Sequence, residues 1–252
     1  MSFNIALSGK GGTGKTSLAG LLIRYLIRHG KSPIMVIDAD ANANLNEVLG
    51  VKVENTIGEL REGLLGHEGQ QPGGMSKDAY FEMMLHQAVA EHEGFDLLVM
   101  GRPEGPGCYC FVNNLIRKYS DELSEKYPYI VTDNEAGLEH LSRRTTQNTD
   151  LLLVISDPSQ RGIRTAKRVL DLADELKLNI KRTALIVNRV AGELDPALSD
   201  LIEEQGMKLA GWVPTDQNIT EYDLRGEAMI NLPDDSRAVI AFEKILDGME
   251  IA

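Results

Sequence analysis

The chain has 252 residues, 38 Asp and Glu against 26 Lys and Arg, a formal net charge of −12, and two cysteines. That length can bury a sizeable core. The acidity, with Arg143-Arg144 as the nearest thing to a basic cluster, excludes a general binder of the nucleic-acid backbone. No run approaches the roughly 18 consecutive apolar residues of a membrane span. The N-terminus MSFNIALSGK leads straight into a strand pattern rather than a cleavable signal. The C-terminal stretch AVIAFEKILDGMEIA carries acids where a membrane-surface helix needs a basic face. The expectation is a cytoplasmic protein with reduced thiols, no nucleic acid and no membrane partner.

In chain order, apolar β-branched runs occur at 3–8, 33–38, 95–100, 129–133, 151–156, 183–188 and 208–213. Stretches of helical period lie at 16–29, 78–91, 111–126, 162–176 and 196–205. Short, continuously apolar strands each followed by a helix predict an α/β fold. Its central sheet is mostly parallel, with helices on both faces. With no repeat and no linker, one domain over 1–252 is expected. The segment 61–77 (REGLLGHEGQQPGGMSK) is rich in glycine and polar residues and predicts a surface excursion before the helix at 78–91.

SGKGGTGKTS, residues 8–17, contains G-x-x-x-x-G-K-[ST] as Gly9, Gly14, Lys15 and Thr16, between the first strand and the first helix. Gly9, Gly11, Gly12 and Gly14 let the backbone curl with its N–H groups inward, where the helix dipole adds positive potential. Thr13 and Ser17 complete the loop. The site is expected to take ATP and ADP; Lys15 would reach the β- and γ-phosphates of ATP, and the Thr16 hydroxyl would bind Mg²⁺. The chain is therefore expected to be a P-loop nucleoside triphosphatase. The second predicted strand ends in Asp38-Ala-Asp40 and the fourth in Asp133. Carboxylates at strand ends beside a phosphate loop are placed to hold Mg²⁺ through water.

Both cysteines, Cys108 and Cys110, sit in GRPEGPGCYC. A disulfide between i and i+2 is badly strained, whereas C-x-C brings both sulfurs within reach of one metal. Two thiolates leave a tetrahedral ion half satisfied, and a second copy related by a two-fold axis would supply the other two. Such a soft site accepts Zn²⁺ or Ni²⁺ between subunits, and four sulfurs also suit a [4Fe–4S] cluster. The histidines add little: His86 and His92 are six apart, about 240° around a helix, and do not share a face.

The form G-K-G-G-T-G-K-T resembles the deviant Walker A motif of the MinD/ParA/nitrogenase-iron-protein (SIMIBI) class of ATPases. That resemblance implies that Lys10 crosses a dimer interface to the partner's phosphates and that hydrolysis is dimer-activated. It further implies that Asp40 orients the attacking water, and that Asp133 opens a D-x-x-x-G switch in which Gly137 responds to the γ-phosphate. IVNRV (186–190) resembles the class's adenine-reading strand end, with Asn188 and Arg189. VPTDQ (213–217) resembles its second base-side loop, through Pro214 and Asp216.

GPGCYC and DNEAGLEHLSRRT, with the deviant loop, resemble the CooC-type ATPases that mature nickel carbon monoxide dehydrogenase and acetyl-CoA synthase. The resemblance implies a homodimer that couples ATP hydrolysis to nickel handling for one of those enzymes. The alternatives are a dimeric metal- or redox-sensing ATP switch, or an iron–sulfur ATPase or reductase related to nitrogenase iron protein.

Overall fold

The structure is a computed structural model that describes residues 2–40, 42, 44–60, 75, 77–101, 125–136 and 148–251. The described elements in chain order are β1 (Phe3–Gly9), α1 (Lys15–Arg28), β2 (Ile34–Ala39), α2 (Leu45–Leu49), α3 (Lys77–Ala88), β3 (Ala90–His92) and β4 (Phe95–Val99). They continue with β5 (Tyr129–Asn134), β6 (Asn148–Ser156), α4 (Gln160–Glu175), β7 (Asn179–Val190), α5 (Pro196–Glu204) and β8 (Leu209–Pro214). The last are α6 (Gln217–Arg225), a 3-10 turn (Met229–Asn231) and α7 (Arg237–Gly248). The strands form one sheet in the order β3-β4-β2-β5-β1-β6-β7-β8. Every pairing is parallel except β3 with β4.

Continuous apolar strands exist here because both sheet faces are covered. On β2, Ile34 and Val36 join the core under α1 and α7, while Met35 and Ile37 join a second core with Leu85 of α3 and Leu98 of β4. On β6, Leu151, Leu153 and Ile155 face the first core, and Leu152 and Val154 face a third with α4 and α5. α1 supplies Leu18, Leu22 and Leu26, all fully buried, and α7 supplies Phe242. The two helices are also joined electrostatically: Arg24 of α1, 3% exposed, reaches Glu243 of α7 and Asp234, both at 2.5 Å.

The predicted α/β sheet is present, with several differences of detail. The helix expected over 78–91 stops at Ala88, and the chain turns into the short β3, which pairs antiparallel with β4. His92 therefore lies on a strand, stacked on Phe95 at 4.6 Å, and the helical-wheel argument does not apply to it. A three-residue strand is too short to show a period of two. The additional strand also makes the strand that carries Asp133 the fifth rather than the fourth, and that strand runs on to Asn134. The C-terminal stretch is no free tail: Ala238, Val239, Phe242, Ile245 and Leu246 bury its apolar side on the sheet. Segment 61–74 and nearly all of the helix expected over 111–126 lie outside the described residues.

Candidate nucleotide site

β1 lies between β5 and β6, so the loop after Gly9 emerges at the middle of the sheet, at the C-terminal strand ends. A Cβ on Gly9 would sit 2.2 Å from the Ile155 carbonyl oxygen, so only glycine lets the loop leave along β6. Gly14, at φ 84°, opens α1 with no side-chain cap, and no acidic residue occupies the first turn. By contrast, α4, α5, α6 and α7 each begin with a side-chain cap, from Ser159, Asp195, Asp216 and Ser236. The uncapped N–H groups of α1 are free for an anion. Lys15, 7% exposed, makes no ion pair among the described residues, though it acts electrostatically on Asp133.

Asp38 and Asp133 are register partners on the adjacent strands β2 and β5, each 1% exposed. Burial pushes the Asp133 carboxyl up to about 7, against the lowering influence of the Thr16 hydroxyl and Lys15; Asp38 and Asp40 push it further up. Burial likewise pushes Asp38 up to about 6, although its oxygens accept from Leu45 N and Asp40 N, both at 3.0 Å. Asp133 Oδ1 is buried with no hydrogen-bond partner among the described residues. An unpartnered carboxylate oxygen beside a threonine hydroxyl and a lysine is costly alone. It is what a divalent cation with phosphate ligands would compensate, so these residues fit Mg²⁺. Asp40 is half-exposed at the rim, where Oδ1 accepts from Asn42 N at 2.8 Å.

Asn188 and Arg189 grip the phosphate loop itself. Asn188 Nδ2 donates to Thr13 O and Arg189 Nη1 to Gly12 O, each at 2.8 Å, while Asn188 Oδ1 accepts from Arg189 N. The resemblance assigned these residues to the base; the clamp on the loop carbonyls was not legible, because it spans 175 residues of sequence. Asp216 closes the loop after β8. Burial alone would raise its pKa, but donors from Ala238 N, Ser236 Oγ and Asn218 N hold it below the usual carboxylate range. Pro214 ends β8 in register with Val190.

Lys10 is half-exposed and points to Asp157 Oδ2 at 3.7 Å, at the end of β6. That contact was not anticipated, since Asp157-Pro158 reads in sequence as an ordinary turn. The described structure thus gathers residues 9–16, Asp38, Asp40, Asp133, Asn188 and Arg189 at one end of the sheet. Cys108, Cys110 and Gly137 lie outside the described residues. Among the described residues no three potential metal ligands cluster, and no helix is long and apolar enough to cross a membrane.

The CobQ/CobB/MinD/ParA nucleotide binding domain matches residues 5–229. An uncharacterized ATP-binding protein of Methanocaldococcus jannaschii is 46% identical over 96% of both chains. The carbon monoxide dehydrogenase accessory protein CooC of Rhodospirillum rubrum is 31% identical over 90% of this chain and 89% of its own. Among solved structures, the septum site-determining protein MinD of Pyrococcus horikoshii, complexed with Mg-ADP, superposes with a TM-score of 0.74 at 22% identity. That superposition covers 100% of this chain and 97% of MinD. A ParA family ATPase of Chlorobium tepidum gives 0.72 at 19% identity, covering 97% and 98%.

Proposed function

The chain belongs to the CobQ/CobB/MinD/ParA nucleotide-binding family of P-loop ATPases, and on that premise we propose that it is an Mg²⁺-dependent, dimer-activated ATPase that handles nickel for a carbon monoxide dehydrogenase or acetyl-CoA synthase. The observation that carries the nucleotide half is the buried, unpartnered Asp133 oxygen beside Thr16 and Lys15, next to an uncapped helix N-terminus. The 31% relative CooC and the C-x-C of Cys108 and Cys110 support the nickel half.

In this reading the N–H groups at the start of α1 and the Lys15 ammonium bind the β- and γ-phosphates. Asn188 and Arg189 keep the loop in shape from behind. Mg²⁺, when bound, would neutralise charge on the phosphates. Thr16 and Asp133 would hold it, and Asp38 keeps the backbone at Leu45 and Asp40 in place. Asp40 orients a water for attack on the γ-phosphorus; the bond to the β-phosphate oxygen breaks, leaving ADP and phosphate. The second subunit's Lys10 supplies charge where it develops in the transition state. The paired cysteines of two subunits bind the nickel cargo at the dimer axis.

The test is anaerobic Ni²⁺ titration of the reduced full chain with and without ATP, with native mass measured in parallel. One metal per two chains, abolished by Cys108→Ser and by Cys110→Ser, is the expected result. Normal ATP hydrolysis with no nickel bound at micromolar concentration would keep the ATPase and remove the nickel role. Thiolate ligation releases protons, so nickel affinity should weaken toward pH 6.

A further inference from the structure

The phosphate loop follows the C-terminal strand ends. At the other end, residues 182–184 of β7, the first residues of β8 and the last turn of α7 enclose an open groove of about 520 Å³. Its floor is apolar, with Leu151 and Ile245 buried and Leu209 and Met249 half-buried. Its charged residues are Arg182, Lys208 and Lys244 against Glu250 alone, a cationic surplus on a chain of net charge −12. None of the three cations is in an ion pair among the described residues, whereas the adjacent Lys181 is neutralised by Asp150 at 2.6 Å.

Arg182 is also held in place. Its Nη1 donates to Met249 O at 2.9 Å, and its guanidinium carbon lies 5.6 Å from the centre of the Phe3 ring. That bond meets the negative end of α7, and the guanidinium is oriented before any ligand arrives, which reduces the entropy lost on binding. No comparable structural bond occupies Lys208 or Lys244 among the described residues, and both are exposed.

We infer that this groove docks an acidic segment of a partner polypeptide, with carboxylates on Arg182, Lys208 and Lys244 and an apolar side chain between them over Leu209 and Met249. The charge balance selects a short segment over an extended polyanion. Beyond a screening length of about 8 Å at physiological salt the local cations fade, and a membrane or nucleic-acid surface would meet the remaining acidic molecule. A peptide touches the groove alone. Glu250 borders the same groove and works against the ligand, which makes its removal informative. The site lies at the opposite end of the sheet from the nucleotide and does not rest on the nickel reading.

The experiment uses the full chain and a fluorescein-labelled twelve-residue peptide of glutamate and leucine, read by anisotropy. Saturable binding below roughly 1 mM that weakens with added salt is expected. Lys208→Glu combined with Lys244→Glu should lower the affinity at least about tenfold, Glu250→Gln should raise it, and ATP turnover should stay at the parent rate. A glutamate–serine peptide should bind more weakly, since it lacks the apolar contact. Absence of binding, or equal binding by the charge-reversed variant, overturns the inference. So does retention of the parent chain on phosphatidylserine vesicles, lost in that variant, without peptide binding; the groove would then face a membrane.

Discussion

Asp133 concentrates the electrostatic stress of the site. Its carboxyl, pushed up to about 7, and that of Asp38, pushed up to about 6, both titrate above their ordinary value of 3.8. The folded chain therefore binds more protons than the unfolded chain between those values. The stability this contributes is complete below the unfolded value and is lost as pH rises through about 6 and about 7. In the absence of nucleotide and Mg²⁺, Asp133→Asn should raise the thermal midpoint at pH 8 and leave it nearly unchanged at pH 4, as scanning calorimetry would report. A second expectation concerns Gly14, where φ is 84° and an added Cβ would lie 2.5 Å from Asn188 Nδ2. Gly14→Ala should displace the clamp and cost about 1–2 kcal/mol in backbone strain alone. A fall in ATP affinity of roughly tenfold or more should follow, measurable by calorimetric titration.

The helices α4 to α7 each begin with a side-chain cap, and α1 does not. α1 leaves its N-terminus to the ligand, while Asp216 serves two helices at once, bonding Asn218 N of α6 and Ala238 N of α7. Asp216→Ala should destabilise the chain by about 1–2 kcal/mol in urea unfolding. Because its pKa is depressed, its contribution is present above the unfolded value and fades as pH falls through the folded one. Asp216→Asn should therefore lose most of its penalty in acid.

Across the whole molecule, the acidic chain keeps its buried lysine at the phosphate loop and its cationic groove at the far end of the sheet. In the proposed mechanism, Lys10 is the residue that would act on a second copy. Its contact with Asp157 is long and half-exposed, 3.7 Å with 49% of the lysine side chain accessible. Such surface pairs are worth about 0–1 kcal/mol. Redirecting Lys10 to another subunit's phosphates thus costs little. Lys10→Ala should leave ATP binding within about twofold and reduce phosphate release by roughly 100-fold or more, checked by titration and by a steady-state phosphate assay. Parent-rate hydrolysis by a monomer would remove the dimer from the mechanism.

Local sequence was sufficient for the phosphate loop. Its glycines, lysine and threonine interact within ten contiguous residues, and β1 and α1 flank them as continuous apolar runs. It was also sufficient for the parallel sheet, because strands buried on both faces must be apolar throughout. Only the tertiary structure decided that Asp38 and Asp133 stand side by side, that Asn188 and Arg189 grip the loop from 175 and 177 residues away, and that Lys10 meets Asp157. It alone also brought residues 182–184 of β7 and the start of β8 to the end of α7 around three cations. Strand order, which no local period encodes, determines which distant side chains share a site.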